Sequence, residues 1–119
     1  MSIMEEKARE LGRMIGQSPE YQAVKRANDA LGNDRDALAL LKRMEELRLE
    51  AQRLIERGEQ PGPDMERELD GLLEQVQRNP HYQEMAVAQE NFDKVMVRVN
   101  EWILDGIRKG ATSSIITLT

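Results

Sequence analysis

The chain of 119 residues contains no cysteine, which excludes disulfides and thiolate metal sites. Aromatic side chains make up only 3% of it: one Trp, two Tyr and one Phe. An all-β sandwich draws heavily on such rings, so that class is disfavoured. No stretch approaches the ~20 consecutive apolar residues that a membrane helix needs. The N-terminus, MSIMEEKARELGRM, mixes charges within its first ten residues and has no apolar centre of the kind a secretory signal requires. A cytoplasmic protein is expected, with no membrane contact. Basic charge is also in short supply, with 17 Lys and Arg against 22 Asp and Glu, a net of −5. Residues 1–60 hold 11 basic and 12 acidic side chains, and residues 61–119 hold 6 and 10. Neither half carries the net positive charge that phosphate-backbone binding draws on, so direct nucleic-acid binding is disfavoured.

What the chain does have is 39% apolar and 33% charged residues, rich in Leu, Glu, Arg and Gln, the composition of long solvent-facing helices. Apolar spacing predicts about five helices, two of them long, in an all-α bundle that self-associates. The first runs from about Ile3 to Ile15, with Met4, Ala8, Leu11 and Ile15 on one face. Ser18-Pro19 starts the second, which turns Tyr21, Val24, Ala27 and Leu31 inward and closes at Gly32-Asn33. Asp34 caps a long third helix reaching about Arg57. Its Leu40, Met44, Leu47, Ala51 and Leu54 follow a 4-3-4-3 seam, and Leu38, Leu41 and Ile55 widen the stripe beyond a two-stranded zipper. GEQPGPD, Gly58–Asp64, breaks the chain, with Asp64 read as the next cap. A short helix from about Asp64 to Gln77 follows, with Met65, Leu69, Leu72, Leu73 and Val76 inward. The last, from about Pro80 to Arg108, carries Met85, Ala88, Phe92, Val95, Val99, Trp102 and Gly106 on one seam and Met96, Ile103 and Ile107 beside it.

Residues 1–110 form one helical domain of two halves joined by the linker 58–64, since neither half alone has enough core to be stable. The uncharged, β-branched tail, residues 111–119, is expected to be flexible or to pair as a strand with another chain. One short pattern recurs: SPEYQ at Ser18–Gln22 and NPHYQ at Asn79–Gln83. Each is a helix start, in which Ser18 or Asn79 accepts from a free N–H. Pro19 or Pro80 sits where the missing N–H costs nothing, and Tyr21 or Tyr82 packs one turn in. Aligning Pro19 with Pro80 also matches Gln22 with Gln83 and Ala27 with Ala88, so the halves read as related units.

Catalytic groups are scarce. His81 is the only His, placed in a first helical turn, with no Cys or Ser partner set by spacing; a triad is not indicated. His81 and Glu84 make one His-x-x-Glu, whereas a di-iron bundle needs paired motifs and several inward carboxylates. Glu66, Asp70 and Glu74 form an acidic row that reads as a solvated face, as do the basic pairs Lys25-Arg26 and Lys42-Arg43. There is no glycine-rich phosphate loop and no nucleophile elbow. No cofactor, no metal and no enzymatic activity are expected. The apolar surplus is the informative feature, and Phe92, Val95, Val99 and Trp102 are the anchors expected to fill either the core or a self-association surface.

The order of these features resembles the YlbF/YmcA family of small bacterial helical proteins, in particular its YheA-like members. The resemblance rests on a short helix, Ser-Pro-x-Tyr, a long Leu-rich helix, a Gly/Pro linker, a second short helix, Asn-Pro-x-Tyr-Gln, and a terminal helix with Phe92 and VNEWILDGI. It covers the chain to about Gly110. It implies a cytoplasmic, non-catalytic regulator that self-associates. Family members act in competence, sporulation and biofilm formation through a complex that modulates RNase Y. Iron–sulfur clusters tied to cysteines in that complex do not carry over to a chain without cysteine. The expected function is therefore a helical adaptor that works through protein–protein contacts, as a homodimer or higher homo-oligomer with a further protein partner. The alternatives are a structural self-assembling protein and an RNA-binding accessory.

Overall fold

The computed structural model describes residues 2–118, with side chains described from Ser2 to Thr112. Five helices follow one another: α1 (Ser2–Gly16), α2 (Pro19–Gly32), α3 (Arg35–Glu56), α4 (Pro63–Arg78) and α5 (Pro80–Leu118). Among the described residues there is no strand. The fold is all-α, as the apolar periodicity requires.

Each boundary has a local cause. Ser18 accepts the Tyr21 N–H at 3.2 Å, and Asp34 accepts the Ala37 N–H at 3.0 Å. Three helices begin with Pro in the first turn, where a missing N–H and a fixed φ cost nothing. At α4 this displaces the expected cap. The cap position is Gly62, without a side-chain hydrogen bond, and Asp64 lies inside the first turn. There its charge still suits the positive end of the helix dipole. Helix α3 ends in a glycine turn. Gly58 has φ +79, its N–H donates to Ile55, and the Glu59 N–H donates to Leu54. That 5→2 and 6→1 pair returns the last carbonyls to partners and needs a left-handed residue in the middle.

The packing follows two antiparallel pairs. Helix α2 lies on α5 and α3 lies on α4, with lesser contact between the pairs. Tyr21 meets Phe92 at 5.3 Å with the rings tilted by 61°. The last turn of α2, at Ala30, lines the same groove as Pro80 at the start of α5, so these helices run oppositely. Val24, Ala27 and Ala88 are buried where they meet, with Ala23, Met85 and Phe92 packed around them. In the other pair, Leu47 and Val76 are buried almost completely, at 1% and 2% exposure. Burial of such a side chain contributes about 1.5–3 kcal/mol. Leu31, Ala37 and Val76 lie within a turn or so of the α2/α3 and α4/α5 corners, and all are buried. The core therefore continues through the junction between the pairs.

Two ends stand outside it. Helix α1 has no buried residue, and only Leu11, Ile15 and Gly16 are half-covered. Its predicted stripe is present as spacing but uncovered at Met4 and Ala8. Helix α5 continues as helix to Leu118, past the expected end at Arg108 and through most of the tail expected to be flexible or strand-pairing. A helix already nucleated extends at small cost per residue, even through weak formers. Thr119 lies outside the described residues. The molecule measures 69 × 38 × 22 Å, with a radius of gyration of 21.7 Å, against about 13.5 Å for a compact chain of this length.

Candidate protein-interaction surface

The two Pro-x-Tyr-Gln stretches fold alike in detail. Asn79 Oδ1 accepts the Tyr82 N–H at 3.0 Å, as Ser18 does for Tyr21. Gln22 donates from Nε2 to the Gly16 carbonyl at 2.8 Å, and Gln83 donates to the Gln77 carbonyl at 2.8 Å. Both glutamines reach back six residues to a carbonyl at the end of the preceding helix, which has no partner of its own. The motif is thus a helix-to-helix corner: the cap serves the new helix and the Gln serves the old one. The match ends where Gly32-Asn33 stops α2, whereas α5 runs on.

The second corner does more. Asn79 Nδ2 donates to Asp34 Oδ2 at 2.9 Å, and His81 Nδ1 lies 2.8 Å from the same oxygen. An ionised carboxylate only accepts, so Nδ1 is the protonated ring nitrogen. Asp34 therefore caps α3 with Oδ1 and ties the α2/α3 corner to the α4/α5 corner with Oδ2. Hydrogen bonds from His81, then Asn79, then the Ala37 N–H hold its carboxyl well below the usual carboxylate range. The sequence pattern marks Asp34 and Asn79 as caps but leaves His81 without a partner. The pairing spans 47 residues, and only the antiparallel packing of α3 on α4 creates it. Midway along that pair Arg43 grips Glu68 through two bonds, Nε–Oε2 and Nη2–Oε1, each 3.0 Å. This raises the Arg43 pKa and lowers that of Glu68.

The acidic row Glu66, Asp70 and Glu74 is exposed, and Glu74 is paired with Arg78. Among the described residues no three His, Asp or Glu side chains converge as a metal site, and no helix is long and apolar enough to cross a membrane. An open groove of about 790 Å³ runs between α2 and α5, floored by Ala23, Ala27, Ala30 and Ala88 and edged by Arg26 and Glu84.

The four expected anchors separate. Val99 is buried at 5% exposure, Phe92 packs on Tyr21, and Val95 is half-buried; these three serve the protomer. Trp102 is 66% exposed, and Ile103, Leu104 and Ile107 are 46–60% exposed. Every residue from Glu101 to Thr112 is exposed. The seam of α5 continues past the helices that cover it, so an apolar face stands open at the end of the molecule. Ile3 and Met4 of α1 are likewise exposed.

The described residues thus form a helical scaffold with stapled corners and an uncovered apolar helix end. The chain belongs to the YlbF/YmcA family: the model described as "Control of competence regulator ComK, YlbF/YmcA" matches residues 4–108. A UPF0342 protein of Streptococcus mutans is 34% identical over 83 residues, covering 70% of this chain and 74% of that one. A UPF0342 protein of Streptococcus pneumoniae is 31% identical over 90 residues, covering 76% and 80%. The fold is shared with RicA of Bacillus subtilis, solved in complex with RicF, at a TM-score of 0.79 and 15% identity over 92% of this chain and 97% of that one.

Proposed function

We propose that this chain is a non-catalytic cytoplasmic adaptor that regulates through protein–protein contacts and self-associates as a homodimer or higher oligomer. The observation that carries the reading is the uncovered apolar end of α5, with Trp102, Ile103 and Ile107 facing solvent. Contiguous apolar surface of this kind on a soluble chain marks a contact site, and an exposed Trp is a typical binding anchor. The family supports a regulatory role, and RicA, which shares the fold, is seen bound to a second protein. In this reading the further partner belongs to an RNase Y-associated complex, as the family resemblance implies. The net charge of −5 gives an RNA-binding role no support.

Affinity purification of the full chain from its native bacterium, read by mass spectrometry, tests the adaptor. A stoichiometric protein partner is expected, with RNase Y-associated proteins among those recovered. Recovery of the chain alone overturns the adaptor and leaves the self-assembling structural role, which the same open face also favours. Light scattering at micromolar concentration tests self-association separately.

A further inference from the structure

We propose that α1 is the docking helix for a different protein, and that the helix it receives resembles α3 but carries a carboxylate where α3 carries Arg43. The inference rests on the adaptor reading and deepens it by naming the face and the chemistry of the partner helix.

The molecule holds a second, covered version of the α1 face. With Asn79 set on Ser18, α4 falls on α1 with its apolar positions in register: Met65 on Met4, Leu69 on Ala8, Leu72 on Leu11 and Val76 on Ile15. The two corners also share their bonds. The Ser18 N–H donates to Ile15 at 3.1 Å and the Asn79 N–H to Val76 at 3.0 Å, beside the matching cap and glutamine contacts. The cap dihedrals are similar, φ −64 and ψ 149 at Ser18 against φ −72 and ψ 123 at Asn79. Helix α1 therefore leaves α2 in much the direction in which α4 leaves α5.

Helices α2 and α5 run oppositely, and their buried cluster exchanges Val24 with Met85 and Ala27 with Ala88. An approximate two-fold axis between them thus carries one corner unit onto the other. The same rotation carries α3, which covers α4, onto a place beside α1. Among the described residues no helix covers that face: Met4 and Ala8 are exposed, whereas Met65 and Leu69 are half-buried. The cause is that α2 stops at Gly32 and turns into α3, while α5 runs straight through the matching Asp93. A bent α5 would not serve either. In this register Arg98, Glu101, Asp105 and Arg108 stand where α3 has Ala37, Leu40, Met44 and Leu47.

Charge names the occupant. On α4, Glu68 is gripped by Arg43 of α3. On α1 the matching residue is Lys7, and Asp70 and Glu74 are matched by Arg9 and Arg13. Three carboxylates become three cations beside an apolar stripe that is otherwise kept. Within the protomer Lys7 reaches Glu10 only at 4.0 Å. An α3-like helix seated here needs an acid facing Lys7, since like charges at a close contact oppose docking. A second copy does not supply it, because its α3 is already covered by its own α4 and brings Arg43. The occupant is therefore another protein, presenting an amphipathic helix with an α3-like apolar seam and an acid in the place of Arg43.

The probe that tests this is α3 itself, as a labelled synthetic peptide from Asp34 to Arg57, in the parent sequence and with Arg43→Glu. Binding to the full-length chain is read by fluorescence anisotropy and located by hydrogen exchange. The Arg43→Glu peptide is expected to bind at least tenfold tighter than the parent peptide and to slow exchange in α1. Lys7→Glu in the chain is expected to reverse that preference; the Lys7 side chain is 77% exposed, so the variant folds. Ala8→Glu, also at an exposed position, is expected to abolish binding of both peptides while the melting temperature holds. Equal binding of the two peptides by the parent and Lys7→Glu chains overturns the chemistry of the occupant. Binding of neither peptide, or protection outside α1, overturns the face. Protection of α1 that rises with the concentration of the chain alone makes the occupant a second copy and overturns the proposal. A stoichiometric partner that the Ala8→Glu chain still recovers from the native bacterium overturns docking on α1 and leaves the adaptor standing, whereas recovery of the parent chain alone removes the adaptor reading itself.

Discussion

One carboxylate oxygen, Oδ2 of Asp34, accepts from both Asn79 and His81, so a single residue holds two corners of the molecule together. Its folded-state pKa is depressed. A group of that sign stabilises the fold fully above its unfolded pKa, about 3.9 for Asp, and loses that contribution as pH falls below it. Asp34→Asn is therefore expected to lower the melting temperature at pH 7, with the gap to the parent narrowing as pH drops from about 5 to about 2.5 because the carboxyl is still partly ionised in the folded state there. Thermal denaturation across that range, read by circular dichroism, checks this; a constant gap would mean that Asp34 acts by shape alone. Asn79→Ala removes the cap of α5 and the Asn79–Asp34 bond together. Loss of the cap alone costs about 1 kcal/mol, so denaturant unfolding is expected to show at least that loss. The caps at Ser18, Asp34 and Asn79 were legible in the sequence because capping is local. The His81–Asp34 contact was not, since it joins residues that only tertiary packing brings together. The role of Gln22 and Gln83 was visible as repetition but not as chemistry, because the carbonyl each one serves belongs to the preceding helix.

Among the elements, α5 is two objects in one helix. Its first five turns belong to the protomer core and its end does not, a division that spacing does not reveal. Phe92 and Trp102 both fall on the apolar seam, yet one packs on Tyr21 and the other is exposed. Phe92→Ala is accordingly expected to cost about 2–3 kcal/mol in chemical denaturation, below the full core value because the ring is only half-buried. Trp102→Ala is expected to leave protomer stability within about 0.5 kcal/mol and to weaken self-association instead. Equal losses of stability in the two variants would place Trp102 in a core. The linker obeys a sharper rule. Gly58 takes φ +79, where a Cβ is strained, so Gly58→Ala is expected to cost about 1 kcal/mol although it touches nothing. The seam of α2 and the central seam of α3 were legible and are buried or half-buried, but Leu38 and Ile55, expected to widen the α3 stripe, and Leu73, expected inward on α4, are exposed because α3 and α4 pack on one another along a narrow line. The same reasoning gave equally good stripes on α1 and at the end of α5, which are not covered, because periodicity reports a face and not its neighbour. The tail misled for a related reason. Gly110 and the β-branched residues after it are poor helix nucleators, but α5 is nucleated far upstream and only has to extend.

At the scale of the whole molecule the governing fact is extension. A radius of gyration of 21.7 Å is well above the roughly 13.5 Å of a compact chain of this length. A thin core drawn from Leu, Val, Ala and Met closes the two helix pairs and leaves both ends without cover. An isolated helix shorter than ~12–15 residues is marginal in water. The end of α5 escapes this limit because it is continuous with a packed helix, whereas α1 follows no packed helix and has no buried residue. The two ends should therefore differ once the second copy is removed. Trp102→Glu places a charge in the proposed contact at a position the protomer leaves exposed, so it is expected to give a folded monomer. Small-angle scattering of that variant is expected to return a radius of gyration near 21.7 Å, and hydrogen exchange is expected to be fast in α1 and slow in α5 up to Val99. A radius close to the compact value would mean that α1 and the end of α5 fold back on the body. The apolar faces would then cover one another within a single chain, and no surplus would remain to recruit a partner.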